Sequence, residues 1–281
     1  MLLPVRQIFF LENNMDNIKA QLSAFFQHGF IVINFDEFSQ IHEIQNIVRS
    51  IFPCEPIELH RVNLSLDERL LLIKKAQDAI GKRKLVRDLL LNNSALFSEL
   101  LGPDVDIQTN PYLRVSRPNL ETDLVDWHRD TFNGNEYCEL NIWFPVFPLE
   151  QGSGLTLLEG SHLISSKNIA YVDEENEFRK TVTKGSVANQ LGFLYARKTD
   201  DSIRALDKNK VRMLAPHVGQ AVFFFGHMVH RAQNHSSKTR LSIDVRIKNS
   251  FAQTKTKPGY YESFLKGRIS RYVESMEPLN L

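Results

Sequence analysis

Cysteine is nearly absent from this chain: only Cys54 and Cys138 occur, far apart and outside any Cys-x-x-Cys spacing. That excludes a structural zinc site of the thiolate kind, and no disulfide framework is expected. An excess of one charge is lacking too, with 34 Lys and Arg against 33 Asp and Glu and a net charge of +1. Such a balance makes no field that would gather nucleic acid or an anionic membrane, so neither is an expected partner. No apolar run approaches the ~18 residues that span a bilayer. The opening stretch MLLPVRQIFFLENNMDNI carries Arg6 within its apolar part and has no small-residue cleavage site. The expectation is a cytoplasmic protein with reduced thiols. Internal repeats, low-complexity tracts and linkers rich in Pro, Gly or Ser are also missing, so residues 1–281 read as a single domain.

What is present changes character near residue 102. Before it, apolar residues recur at helical spacing in 14–28, 38–51, 65–80 and 84–101, interrupted by one short strand, Phe30-Ile31-Val32-Ile33, after the stop signal Gly29. Gly102-Pro103 ends the last helix, so 1–103 reads as mainly helical support. From 104 the dominant period is two. Val105, Ile107, Leu113 and Val115 alternate with Asp104, Asp106, Gln108, Tyr112, Arg114 and Ser116. Tyr137, Glu139, Asn141 and Trp143 alternate with Cys138, Leu140, Ile142 and Phe144, and Arg240, Ser242, Asp244 and Arg246 with Leu241, Ile243, Val245 and Ile247. Alternation of this kind means strands with one buried apolar face. The core therefore covers 104–250 with an insertion over 163–210, and 251–281 reads as a C-terminal helix.

Helices first and strands afterwards make an α+β protein. Two architectures suit the polar faces. One is an antiparallel sheet wetted on one side. The other is a double-stranded β-helix, a jelly-roll or cupin-like barrel, with the N-terminal helices packed on one sheet and polar residues lining a cavity.

Asp126-Trp127-His128-Arg129-Asp130 sets an imidazole and a carboxylate two residues apart. On an extended backbone they point the same way and offer two adjacent metal ligands. Val218-Gly219 opens a long apolar run that ends at His230 and reads as one buried strand with a histidine at its mouth. Two histidines and one carboxylate on one face leave three coordination positions open, the pattern of non-haem Fe(II) oxygenases. A bidentate 2-oxo acid takes two of those positions and O2 the third. Arg240, ten residues after His230, heads the next alternating strand, where a planar guanidinium suits a distal carboxylate.

Taken in order, His128-Arg129-Asp130, Leu140-Asn141-Ile142-Trp143-Phe144-Pro145, Gln151-Gly152-Ser153-Gly154-Leu155-Thr156, Gly160-Ser161-His162 and the ending Gly219, His230, Asn234, Arg240 resemble the phytanoyl-CoA dioxygenase superfamily over residues 20–250. Thr239-Arg240-Leu241-Ser242-Ile243-Asp244-Val245-Arg246 is similar to its bacterial branch in antibiotic and specialised-metabolite pathways. The resemblance implies Fe(II) on His128, Asp130 and His230, 2-oxoglutarate on Arg240 with Asn141 and Gln108 nearby, and O2 as oxidant. It implies hydroxylation of a small molecule, with CO2 and succinate as co-products. Asp130 argues against halogenation, because halogenating relatives lack this carboxylate.

Arg246 is the rival for the cosubstrate, on the Arg240 face but ~20 Å further along an extended strand. Tyr112, Arg114, Arg129, Trp143 and Arg246 are candidate substrate contacts, and several arginines together suggest an anionic substrate. For Trp143 barrel packing is the leading reading, ahead of a substrate contact. His227, His162, His217 and His235 are not expected to be ligands. Relatives use the 163–210 insertion as a lid or substrate loop. The rival classes are a jelly-roll metal enzyme of different chemistry and a non-catalytic metal-binding module.

Overall fold

The structure is a computed structural model that describes residues 15–123, 125–133, 138–164, 170–171, 195–196, 207–254, 256 and 259–276. Among the described residues six helices lie outside the sheets: α1 (Met15–His28), α2 (Ser39–Ile51), α3 (Leu66–Lys82), α4 (Leu85–Leu90), α5 (Ser94–Leu101) and the C-terminal α6 (Arg268–Glu274). Helix α1 stops because Gly29 adopts φ +88° and its N–H returns to the Phe25 carbonyl at 2.8 Å. A side chain at Gly29 would collide with the His162 ring and meet Met228 Sδ at 2.8 Å, so the chain enters its first strand only by way of glycine. Helix α3 begins at a capping box between Ser65 and Glu68.

All strand pairs are antiparallel. The large sheet contains β1 (Phe30–Asn34), β2 (Val105–Gln108), β3 (Tyr112–Ser116), β5 (Leu140–Pro145), β10 (Gln220–Phe225), β12 (Arg240–Asn249) and β13 (Tyr261–Leu265). Its order is β1-β10-β5-β12-β2-β13, with β3 also on β12. The small sheet runs in the order β4 (Val125–His128), β11 (His230–Ala232), β6 (Leu155–Leu158), β9 (Val211–Leu214). A two-stranded ribbon joins β7 (Ala170–Tyr171) to β8 (Tyr195–Ala196).

Alternation decides what each face meets. Ala221 and Phe223 of β10, Ile142 and Phe144 of β5, and Leu241, Ile243, Val245 and Ile247 of β12 join Phe25, Ile44, Ile80 and Phe97 of the helices in one apolar cluster. Phe223 lies within it, stacked 5.1 Å from Phe25 and tilted against Phe97 at 5.6 Å. Burying one such ring stabilises the fold by about 1.5–3 kcal/mol. The opposite residues, Phe30, Val32, Trp143, Val222 and Phe224, pack with Leu155, Leu157 and Leu214 of the small sheet and with Met228. The two sheets therefore face each other, and the helices cover the outer side of the large one. The α+β expectation holds, as does the expectation that polar residues lie on the face turned from the helices.

Four local expectations change. The single helix over 84–101 is two, parted by a 3-10 turn at Leu91–Asn93. There Asn92 and Asn93 donate to the carbonyls of Glu37 and Asn34 at 2.8 and 3.2 Å, a local alternative to continuing the helix. The strand over 104–116 breaks before Pro111, which has no N–H to give to a ladder. Its halves lie on β12 in registers two residues apart, an even slip that keeps the odd positions on the apolar face. The run 218–230 is not one strand: it turns at Gly226, and His230 opens β11 in the other sheet. Segment 251–281 contributes edge strand β13 before its helix. Tyr137 and most of the 163–210 insertion lie outside the described residues.

Candidate metal centre

His128 ends β4 and His230 begins β11, and the two are direct partners in the ladder, so their side chains leave the same face. Their ring centroids are 4.1 Å apart. Asp130 opens a 3-10 turn just beyond β4, and its N–H donates to Gly226 O at 3.0 Å, tying it to the turn that delivers His230. Oδ1 of Asp130 lies 3.4 Å from His128 Nε2 and 3.6 Å from His230 Nε2. Ligand atoms of the three residues all fall within 4.8 Å of one another, the one grouping of this kind among the described residues.

Second contacts aim the rings. His128 Nδ1 donates to Asp126 O at 2.7 Å and His230 Nδ1 to Met228 O at 2.9 Å. Each imidazole so held keeps its proton on Nδ1 and presents the Nε2 lone pair inward. Burial, with His128 adding to it, pushes the His230 imidazole down to about 4, which keeps it neutral as a ligand must be. Burial would raise the Asp130 carboxyl, but the Arg246 guanidinium beside it outweighs burial and holds it well below the usual range. Oδ2 of Asp130 accepts from Arg246 Nη2 at 2.7 Å and Asn141 Nδ2 at 2.8 Å.

Arg240 has a different environment. Its Nη1 donates to the carbonyls of Ser153, Gly154 and Gln233 at 3.1–3.3 Å, its Cζ lies 5.8 Å from the Trp143 ring, and its Nε is buried without a partner. No carboxylate among the described residues pairs with it, and burial, reinforced by Arg114, lowers its guanidinium to about 10. Ser116, opposite Arg240 in the ladder, and Ser242, two residues along, each carry a buried hydroxyl without a partner. Gln233 is three residues past His230, ~10 Å of strand. This end of the inter-sheet space thus holds one buried guanidinium, bonded to a carbonyl three residues along the chain from His230.

The other sequence-derived residues divide. Asn141 reaches the triad through Asp130, not through an open position beside Arg240. Gln108 donates to Asn110 O at 2.7 Å and lies 3.5 Å from Arg246. Tyr112 sits under Arg114 at 4.8 Å and Arg246 at 5.6 Å, while Arg114 pairs with Asp244 at 3.2 Å. Trp143 packs in the inter-sheet cluster. Arg129 is a correction: fully buried, it donates to the carbonyls of Ser161 and His227, because a residue between two inward ligands points away from them. His227 is held by Thr131 Oγ1 at 2.8 Å and Ile164 O at 3.2 Å, and His162 stacks on Phe225 at 4.9 Å, so neither joins the triad. Ser116 and Ser242 were missed as site residues. Alternation put both on the Arg240 face, but the ladder that sets Ser116 opposite Arg240 is legible only in the fold.

Solved structures that share this fold include a non-heme monooxygenase and an alpha ketoglutarate dependent epimerase, in agreement with the resemblance in the sequence. One is the non-heme monooxygenase ThoJ in its apo form, with a TM-score of 0.57 and 13% identity over 88% of this chain and 84% of that one. Another is the epimerase SnoN from nogalamycin biosynthesis in complex with Fe3+, α-ketoglutarate and nogalamycin RO, with a TM-score of 0.55 and 12% identity over 95% and 93% of the two chains. A nickel complex of ThoJ has a TM-score of 0.52 and 14% identity over 92% and 89%. At these identities the likeness is one of fold. No family model matches the sequence, and no curated protein matches it.

Proposed function

We propose that this chain is an Fe(II)- and 2-oxoglutarate-dependent dioxygenase that hydroxylates an aliphatic C–H of a small polar metabolite. It would work as a single cytoplasmic domain, its two facing sheets forming a jelly-roll barrel. The observation that carries the reading is the pairing of two features in one inter-sheet space. The triad, with His230 neutral and Asp130 ionised, stands at one end, and a buried guanidinium without a carboxylate partner at the other.

The residues fit both groups. Two imidazole nitrogens and one carboxylate oxygen are the donor set suited to non-haem Fe(II), with open positions remaining. Arg240 Nε and the Ser116 and Ser242 hydroxyls are donors of the kind a distal carboxylate would satisfy. When bound, iron with 2-oxoglutarate and O2 supplies the oxidant: one oxygen enters the C–H bond, and the other leaves in succinate as CO2 is released. The protein's part is positioning and exclusion of water. Arg240 anchors the cosubstrate's far end, Trp143 backs that guanidinium, and Phe224 and Leu157 keep the space between the sheets dry.

Arg114 and Arg246 give little to an anionic substrate, because Asp244 and Asp130 already offset them. A neutral polar substrate held near Tyr112 fits better. That SnoN is an epimerase makes stereochemical inversion the rival outcome at the same site.

The test is succinate release with Fe(II), 2-oxoglutarate, ascorbate and a library of acidic and neutral metabolites. The expected result is chelator-sensitive succinate that rises with a subset of neutral metabolites and a product one oxygen heavier. Turnover without oxygen gain would favour epimerisation. No succinate above the metal-free control, with or without metabolite, would overturn the proposal in favour of a binding module.

A further inference from the structure

The two oxygens of Asp130 have separate surroundings. Oδ1 faces both histidine Nε2 atoms, whereas Oδ2 takes two hydrogen bonds from the large sheet, at 2.7 Å from Arg246 and 2.8 Å from Asn141. Those two donors are neighbours across the β12–β5 ladder, so a single register sets both. We propose that Arg246 and Asn141 are positioning residues that occupy Oδ2 and leave Oδ1 alone for the metal. The inference rests on the metal reading above and is independent of 2-oxoglutarate.

A carboxylate with both oxygens available can chelate a metal through both. With Oδ2 held by a charged fork and an amide, Asp130 binds through one oxygen, and the coordination position its second oxygen would take stays open. The guanidinium is itself fixed. Around Arg246 lie Gln108 Oε1 at 3.5 Å, the half-buried Asp244 at 3.8 Å and the buried Glu139 at 4.0 Å, and the Tyr112 ring lies 5.6 Å from its Cζ. Rotation away from Asp130 would strand two opposite charges in a site with little water. The two arginines on one face of β12 thus have different work: Arg240 is open to a ligand, and Arg246 is engaged with a ligand-bearing side chain.

The experiment measures Mn(II) binding alone, by calorimetry on the metal-free full chain, with thermal unfolding of the same samples. Arg246→Lys keeps the charge and loses the planar fork, and Asn141→Ala removes the second donor without changing charge. Each is expected to weaken Mn(II) binding ~10–100-fold. A merely structural role would lower the metal-free Tm and leave Mn(II) affinity within twofold of wild type, and that result overturns the proposal. If Arg246→Lys does not fold, Asn141→Ala decides. His128→Ala is the control: Mn(II) binding unchanged there would sink the metal reading and this inference together. Absent succinate release with the expected Mn(II) pattern would sink only the dioxygenase reading.

Discussion

His230→Ala abolishes turnover, with kcat/KM falling at least ~10^3-fold, the loss expected when several kcal/mol of metal-supplied stabilisation disappear. The imidazole is placed from three sides: its ladder partner is His128, its Nδ1 is tied to Met228 O at 2.9 Å, and the Phe224 ring stands edge-on at 5.1 Å. Nothing else among the described residues offers a replacement nitrogen there, because His227 is committed to Thr131 and Ile164 O. The ring is held neutral, so its removal leaves a small void and no orphaned charge. His128→Ala behaves in the same way. Asp130→Ala also loses turnover but adds a folding defect on the order of 1–3 kcal/mol, because it removes the closest carboxylate from the buried Arg246 and leaves only the looser pairs with Asp244 and Glu139. The check is bound iron per chain and succinate rate, beside circular dichroism. A histidine variant that folds, retains stoichiometric iron and turns over would contradict the assignment.

Arg240→Ala raises the 2-oxoglutarate requirement ~100-fold, or ~3 kcal/mol, the worth of a charge-assisted bidentate contact. The rate at saturating 2-oxoglutarate changes far less, because the residue holds the end of the cosubstrate away from the reacting bond. Folding tolerates the change: the lost interactions are three bonds to carbonyls, and the deleted group is a cation that burial disfavours. Initial rates across a 2-oxoglutarate series test this. If Arg246→Ala produces that phenotype and Arg240→Ala does not, the cosubstrate arginine is misassigned while the iron site stands.

Much of this arrangement was legible in the residues. Period-two alternation over 240–247 put Arg240, Ser242, Asp244 and Arg246 on one face, and β12 presents them so. His128, Asp130 and His230 were each legible as ligands from local cues, the His-x-Asp spacing and a histidine closing an apolar run, although their meeting depends on the β4–β11 ladder. Pairing registers and turns were not legible. Nothing in Val218–His230 announces that Gly226 sends the chain across to the opposite sheet, because a glycine inside an apolar run suits a strand as well as a bend. Asn141 and Arg246 drew attention as polar residues near the cosubstrate or substrate. That both bond one oxygen of Asp130 depends on the side-by-side placement of β5 and β12, strands about 100 residues apart in the chain, which only the fold supplies. Arg129 misled because an arginine inside a metal motif invites a functional reading, whereas alternation alone turns it outward to the Ser161 and His227 carbonyls.

On the proposed function, one inter-sheet space binds a divalent metal at the triad and a dicarboxylate between that metal and Arg240. Anaerobic calorimetric titration of 2-oxoglutarate into Mn(II)-loaded protein tests it most directly. The expected result is one site per chain, binding that vanishes without metal or in His230→Ala, and affinity ~100-fold weaker in Arg240→Ala. Binding of equal strength in metal-free protein, or in both variants, would contradict it.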